Sequence, residues 1–209
     1  MLPSRNEHIA KQTMKRLPIL FVFILLLSTV VALRGDLSTL KQLLCTTCDI
    51  KKFFNTDEVI WTLRSTERLK LQCKVDVKIN ITDTFVLFRR HFYLKGNRIN
   101  VTINGTFASL DERRNTSGKY DTILLADPGH PEYGYEHLLY QAEDSSCGVL
   151  LVALNEAYMW LEIRVRNSTV DKPDQTCVKR FRQLLPVLKG KRRLVYNRDC
   201  QRILDQINE

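Results

Sequence analysis

The stretch CGVLLVALNEAYMWLEIRVRNSTVDKPDQTC, residues 147–177, decides the fold. Two apolar runs, Val149–Leu154 and Tyr158–Val165, flank the short break Asn155-Glu156-Ala157, the pattern of a β-hairpin. In the second run Met159, Leu161, Ile163 and Val165 fall on one face, and Trp160, Glu162, Arg164 and Arg166 on the other. The first run is apolar on both faces, so it needs cover on both sides. A helix-like segment follows, and a cysteine stands at each end of the unit. This reads as the closing hairpin of a barrel, with a helix packed outside it and a disulfide joining the two.

Six more strands are expected upstream. They are Val59–Thr62, Leu69–Ile79, Thr84–Lys95, Arg98–Leu110, Lys119–Leu125 and Tyr135–Ala142, separated by turn signals at Lys95-Gly96-Asn97, Arg113–Gly118 and Asp127-Pro128-Gly129-His130-Pro131. On the second strand Leu69, Leu71, Cys73, Val75, Val77 and Ile79 form an apolar face, and Lys70 to Asn80 at alternate positions form the wet one. Eight short strands without a long helix among them predict an all-β, eight-stranded antiparallel up-and-down barrel with a C-terminal helix packed outside. A β-sandwich is the competing architecture, and the late helix, placed to cover the last strand, favours the barrel. Asp174 would cap that helix, Val178, Phe181, Leu185 and Leu188 would form its apolar stripe, and Pro186 should kink or end it near Leu185. The helix would cover Met159, Leu161, Ile163 and Val165, turning Trp160, Glu162 and Arg164 inward. Farther upstream, Asp49 caps one expected turn of helix over Ile50–Phe54.

The 209 residues divide into a leader at 1–32, an extension with a short helix at 33–58, and the barrel with its helix and tail at 59–209. Lys15 and Arg16 precede the apolar run Leu17–Val31, and Val30-Val31-Ala32 supplies small residues for cleavage. Met14 is the alternative start to Met1, and a retained signal anchor is the alternative to cleavage. Export implies an oxidising compartment, so the six cysteines read as bridges, with 15 possible pairings. Cys45-Thr46-Thr47-Cys48 reads as a structural bridge, local or to another chain, with a redox pair as its rival. Sequons at Asn80, Asn100, Asn104, Asn115 and Asn167 agree with a secreted glycoprotein.

The net charge is +9, and Lys172–Arg202 holds ten Lys/Arg against Asp174 and Asp199. This reads as a solvated helix face and an exposed loop, with a sulfated glycan or a membrane surface as the functional rival. His91, His130 and His137 lack metal-ligand spacing, and no catalytic triad, nucleophile elbow or phosphate loop occurs. No cofactor, metal, nucleic-acid partner or enzymatic activity is therefore expected, and a monomer is.

Several segments together resemble the tick salivary lipocalins of the histamine-binding type. They are Asp49-Ile50-Lys51-Lys52-Phe53 leading to Ile60-Trp61, Cys73-Lys74-Val75-Asp76, Cys147-Gly148-Val149 with Leu161-Glu162-Ile163, Pro173…Cys177…Phe181, and Val195-Tyr196-Asn197-Arg198-Asp199-Cys200. The resemblance runs from about Asp49 to Ile203. It implies a lipocalin-like barrel, bridges Cys73–Cys200 and Cys147–Cys177, and hence Cys45 with Cys48. It also implies a secreted salivary protein that captures a small host mediator. Members that bind histamine or serotonin carry an Asp after the cysteine matching Cys147, and a Glu followed by Leu or Ile and an aromatic. Glu162 and Ile163 match; Gly148 and Arg164 depart. An amine is a cation, so a dry pocket must offer it carboxylates and aromatic faces. An inward Arg164 opposes this, which brings in a lipid mediator, fatty acid or leukotriene, as the alternative ligand. A filled barrel that binds protein or glycan is the other alternative. The candidate ligand-binding residues are Glu162, Trp160, Trp61, Tyr135 and Phe88. The competing readings are an ion pair of Glu162 with Arg164 or Arg166, a plug at the closed end for Trp61, and core packing for the other aromatics.

Overall fold

The computed structural model describes Cys45 and residues 47–110, 118–155, 158–188 and 190–205. The leader, the Asn115 sequon and Lys189 lie outside the described residues. Among the described residues nine strands follow one short helix: α1 (Ile50–Phe54), β1 (Ile60–Ser65), β2 (Leu71–Ile81), β3 (Phe85–Leu94), β4 (Asn97–Ala108), β5 (Thr122–Ala126), β6 (Glu132–Gln141), β7 (Cys147–Asn155), β8 (Tyr158–Arg166) and, after helix α2 (Gln175–Leu188), β9 (Arg193–Leu194), with α3 (Arg202–Asp205) after it. All neighbours pair antiparallel from β2 to β8, then β8 to β1. Ile60 and Trp61 of β1 pair back to Asp76 and Val75 of β2 and close the barrel. Past Trp61 the strand β1 leaves β2, and Arg64 and Ser65 pair with β9 instead. Closure removes the unpaired edges that eight strands would otherwise expose.

Helix α1 crosses one end of the barrel. Asp49 accepts a 3.0 Å bond from the Lys52 amide, capping the helix, and its own amide donates to Gln141 Oε1 at 2.7 Å. Ile50, Phe53 and Phe54 join Val86, Phe88, Ile103, Phe107, Ile123, Leu125, Leu138, Leu150 and Val152 in one apolar core. The segment before residue 59 is thus part of the barrel's packing.

Two bulges decide which face of β2 points inward. The three steps from Gln72 to Val75 face only two on β3, Tyr93 to His91, and the two from Lys78 to Asn80 face one, Phe88 to Leu87. Each extra residue reverses the alternation. Cys73 sits at the first bulge with φ 53°. As a result Lys74, Asp76 and Lys78 share the face of Phe88, while Val75 and Val77 point out. The expected division of β2 is therefore overturned: its charged middle faces the interior, and Ile79 is exposed. After the second bulge Asn80 is exposed again, and Asn100 and Asn104 stand on the outward phase of β4 opposite His91 and Leu87.

Helix α2 packs on β8 and β7, with Cys177, Phe181 and Leu184 buried. Asp174 accepts from the Cys177 amide at 2.7 Å. The helix does not end at Leu185 but runs through Pro186 to Leu188. Pro186 lies in the last turn, where the missing N–H removes a single bond and the burial of Leu184 holds the turn down. Leu161, Ile163 and Val165 are covered as expected, whereas Met159 lies beyond the helix and is exposed. Disulfides join Cys45 to Cys48, Cys73 to Cys200 and Cys147 to Cys177. Among the described residues no helix is long and apolar enough to cross a membrane.

Candidate functional site

Glu162 is the middle residue of β8, and its carboxylate lies inside the barrel with no exposed surface. Its Oε1 accepts from Lys74 Nζ at 2.6 Å and from the indole Nε1 of Trp160 at 2.8 Å. Its Oε2 accepts from Arg164 Nε at 2.8 Å and from the Thr62 hydroxyl at 3.3 Å. Arg164 then reaches Glu136 on β6, Nη1 to Oε2 and Nη2 to Oε1, both at 2.6 Å. Arg90 of β3 joins Asp76 by Nε at 2.7 Å and Nη2 at 2.8 Å, and Glu136 at 2.9 Å. Arg164 Nη1 lies 3.3 Å from Asp76 and closes the circuit.

Three cations, Lys74, Arg90 and Arg164, thus meet three carboxylates, Asp76, Glu136 and Glu162, all nearly or fully buried. Such a set survives out of water only because every charge is paired and hydrogen-bonded. Burial pushes Glu162 up, but the charges of Lys74, Arg164 and Arg90 outweigh it and hold the carboxyl well below its usual range. Burial likewise opposes Arg164 and Arg90 at Glu136, which is held down to about 2. Burial, then the like charge of Arg90, lowers Lys74, making it the least secure cation of the three. Arg164 is raised, because Glu136 and Glu162 outweigh its burial.

Aromatic rings pack around these charges. The Trp160 ring lies 5.1 Å from Tyr158 and 6.0 Å from Lys74 Nζ. Phe88 stacks on Phe54 at 5.4 Å, with the Arg90 guanidinium 5.2 Å from its ring.

Of the five candidate ligand-binding residues, Glu162, Trp160 and Phe88 are inside, and Glu162 is paired with Arg164, the ion pair that competes with a ligand role for it. The other two are not inside. Trp61 pairs with Val75 and Val165, both outward, and is buried under Tyr196 at 4.9 Å with its Nε1 donating to Asn167 Oδ1 at 2.9 Å. It therefore neither lines the interior nor plugs its end; α1 does the plugging. Tyr135 pairs with Ala153 in the outward phase, and its hydroxyl reaches Met159 Sδ at 4.0 Å near the surface.

Sequence reasoning missed Lys74, Asp76, Arg90 and Glu136. Two of them carry a readable signal: Arg90 continues the phase of Val86 and Phe88, and Glu136 that of Leu138, so each is a charge in an apolar register. Lys74 and Asp76 carry none, since the bulges that turn them inward leave no mark in the alternation.

No protein-family model and no curated protein matches the chain. Among solved structures it is similar to a serotonin complex of AM182, at 16% identity and TM-score 0.55, covering 73% of this chain and 92% of that one. It also aligns with Japanin from Rhipicephalus appendiculatus bound to cholesterol (10% identity, TM-score 0.46, 69% and 96% covered). A third alignment is to a bovine odorant-binding protein (14%, 0.45, 68% and 94%). The first of these likenesses shows the fold, a lipocalin-like barrel.

Proposed function

We propose that this protein is a secreted, monomeric binding protein that captures a small, uncharged and largely apolar molecule in its barrel, without chemistry. One observation carries this reading: the buried cations Lys74, Arg90 and Arg164 are each already paired to the buried carboxylates Asp76, Glu136 and Glu162. An ionic ligand would lose its water and find no free counter-charge, whereas an apolar ligand would meet aromatic walls. Three disulfides and the sequons support export. Capture of a small host mediator in tick saliva is what the family resemblance implies, and the departures from it at Gly148 and Arg164 favour a lipid mediator over an amine.

A biogenic amine, histamine or serotonin, is the second reading. The serotonin bound by the AM182 neighbour and the placement of Glu162 beside Trp160 favour it; the Lys74 ammonium already seated on Glu162 opposes it.

Fluorescence titration with N-phenyl-1-naphthylamine, uncharged at pH 7, and calorimetry with histamine and serotonin separate the readings. Saturable binding of the probe at one per chain, displaced by a fatty alcohol, with no heat from either amine, is the expected result. Heat from an amine but no probe binding would establish the second reading. Silence from all of them would leave the exposed basic residues Lys172, Lys179, Arg182, Lys191 and Arg192 as the working surface. Salt-sensitive retention on heparin would then be the positive sign.

A further inference from the structure

We propose that Lys74 is a tethered counter-ion that fills the barrel's cation subsite, so that the protein refuses small primary amines and removal of this side chain opens a site for them. The inference deepens the proposed function by naming the residue that sets the barrel's selectivity.

A primary ammonium entering a dry pocket needs a carboxylate and an aromatic face. Lys74 Nζ has both: Glu162 Oε1 at 2.6 Å and the Trp160 ring at 6.0 Å. The backbone is built to deliver it. Without the bulge between Gln72 and Val75, Lys74 would keep the outward phase of Gln72. The bulge is pinned at Cys73 by the disulfide to Cys200, and by the Cys73 amide donating to the Val195 carbonyl at 2.8 Å. Lys74 is also the separable member of the network. It pairs with Glu162, whereas Arg164 pairs with Glu162, Glu136 and Asp76, and Arg90 with Asp76 and Glu136. Deleting the lysine side chain leaves the two arginines bridged and one position on Glu162 open.

The test is rescue of Lys74→Ala by propylammonium chloride, which matches the atoms removed. Thermal midpoints are read against propylammonium for the wild type, K74A and K74M, with tetramethylammonium as the salt control. The expected result is a lower midpoint in K74A, restored in a saturable manner by propylammonium alone. K74M, whose thioether refills the space without a charge, should not respond. Affinity for propylammonium should be at least about tenfold higher in K74A than in the wild type. A folded K74A that responds no more than the wild type would overturn the proposal. Should K74A fail to fold even with propylammonium present, the wild type decides. A lysine ammonium signal in ¹⁵N-resolved NMR, protected from solvent at pH 7 and missing in K74M, is expected. Only fast-exchanging lysine ammoniums would sink it. Failure of the wild type to take up N-phenyl-1-naphthylamine counts against the neutral-ligand reading and leaves the rescue result standing.

Discussion

Arg164 and Glu136 face each other across β7, joined by two hydrogen bonds of 2.6 Å, and neither side chain touches solvent. The geometry is the planar fork that a guanidinium offers a carboxylate. Arg164 also serves Glu162 and Asp76. Arg164→Met would leave three buried carboxylates short of a partner, an effect of about 3–5 kcal/mol. Urea unfolding would measure it. A loss under about 1 kcal/mol, the range of exposed pairs, would mean that the network is wet in solution.

At Gly148 the space for a side chain is gone. A Cβ there would come within 2.9 Å of Leu138 Cδ1 and 3.0 Å of Phe53 Cε2. Gly148→Asp would displace the α1 plug and bury a further carboxylate. It should destabilise by about 2 kcal/mol or more, and it should not confer histamine binding. Calorimetry on the variant checks both, and a stable, histamine-binding G148D would refute the account.

Stability should peak near the ordinary glutamate value and fall on both sides. Glu67 is 5% exposed, and burial, opposed by Lys74, raises it from 4.5 to about 7. Glu162 adds to the rise, and Arg90 and Arg193 act with Lys74 against it. Its folded-state value is the higher one, so folding favours the protonated form, and stability declines as pH climbs from about 4.5 to 7. Glu136 has the opposite sign. Its value falls from 4.5 to about 2, so its contribution is complete above 4.5 and is lost as pH drops toward 2. Glu67→Gln should abolish the upper slope alone, with a gain of up to about 3 kcal/mol above pH 7. Thermal midpoints of wild type and E67Q from pH 3 to 9 give the comparison; parallel curves above 4.5 would exclude Glu67 as the source.

The two long-range disulfides should differ in worth. Cys147–Cys177 spans 30 residues and Cys73–Cys200 spans 127. Loop-closure entropy assigns them about 4 and about 5 kcal/mol. Cys→Ser pairs compared by urea unfolding should keep that order. The Cys73–Cys200 pair of substitutions should also release the bulge that turns Lys74 inward. A reversed order would mean that native-state effects outweigh the chain entropy.

Much of the barrel is legible because strand signals are local. Alternation at Tyr158–Val165, the Lys95-Gly96-Asn97 turn and the Asp49 cap each act within a few residues, and the structure has strands, turn and helix at those places. The site is less legible. Trp61 reads as an interior aromatic, yet it lies outside beneath Tyr196, a residue 135 positions later, and nothing near Trp61 announces that cover.

The sequence alone determined the strand order, the hairpin and outer helix linked by Cys147 and Cys177, and the inward turn of Glu162, because period-two patterning and turn chemistry are written residue by residue. Only the tertiary structure decided that β2 turns its charged middle inward and that Lys74, Asp76, Arg90 and Glu136 converge on Glu162 and Arg164. The physical reason is that a bulge shifts phase without changing the pattern around it, and that a buried charge is tolerated only once partners from distant strands arrive to neutralise it.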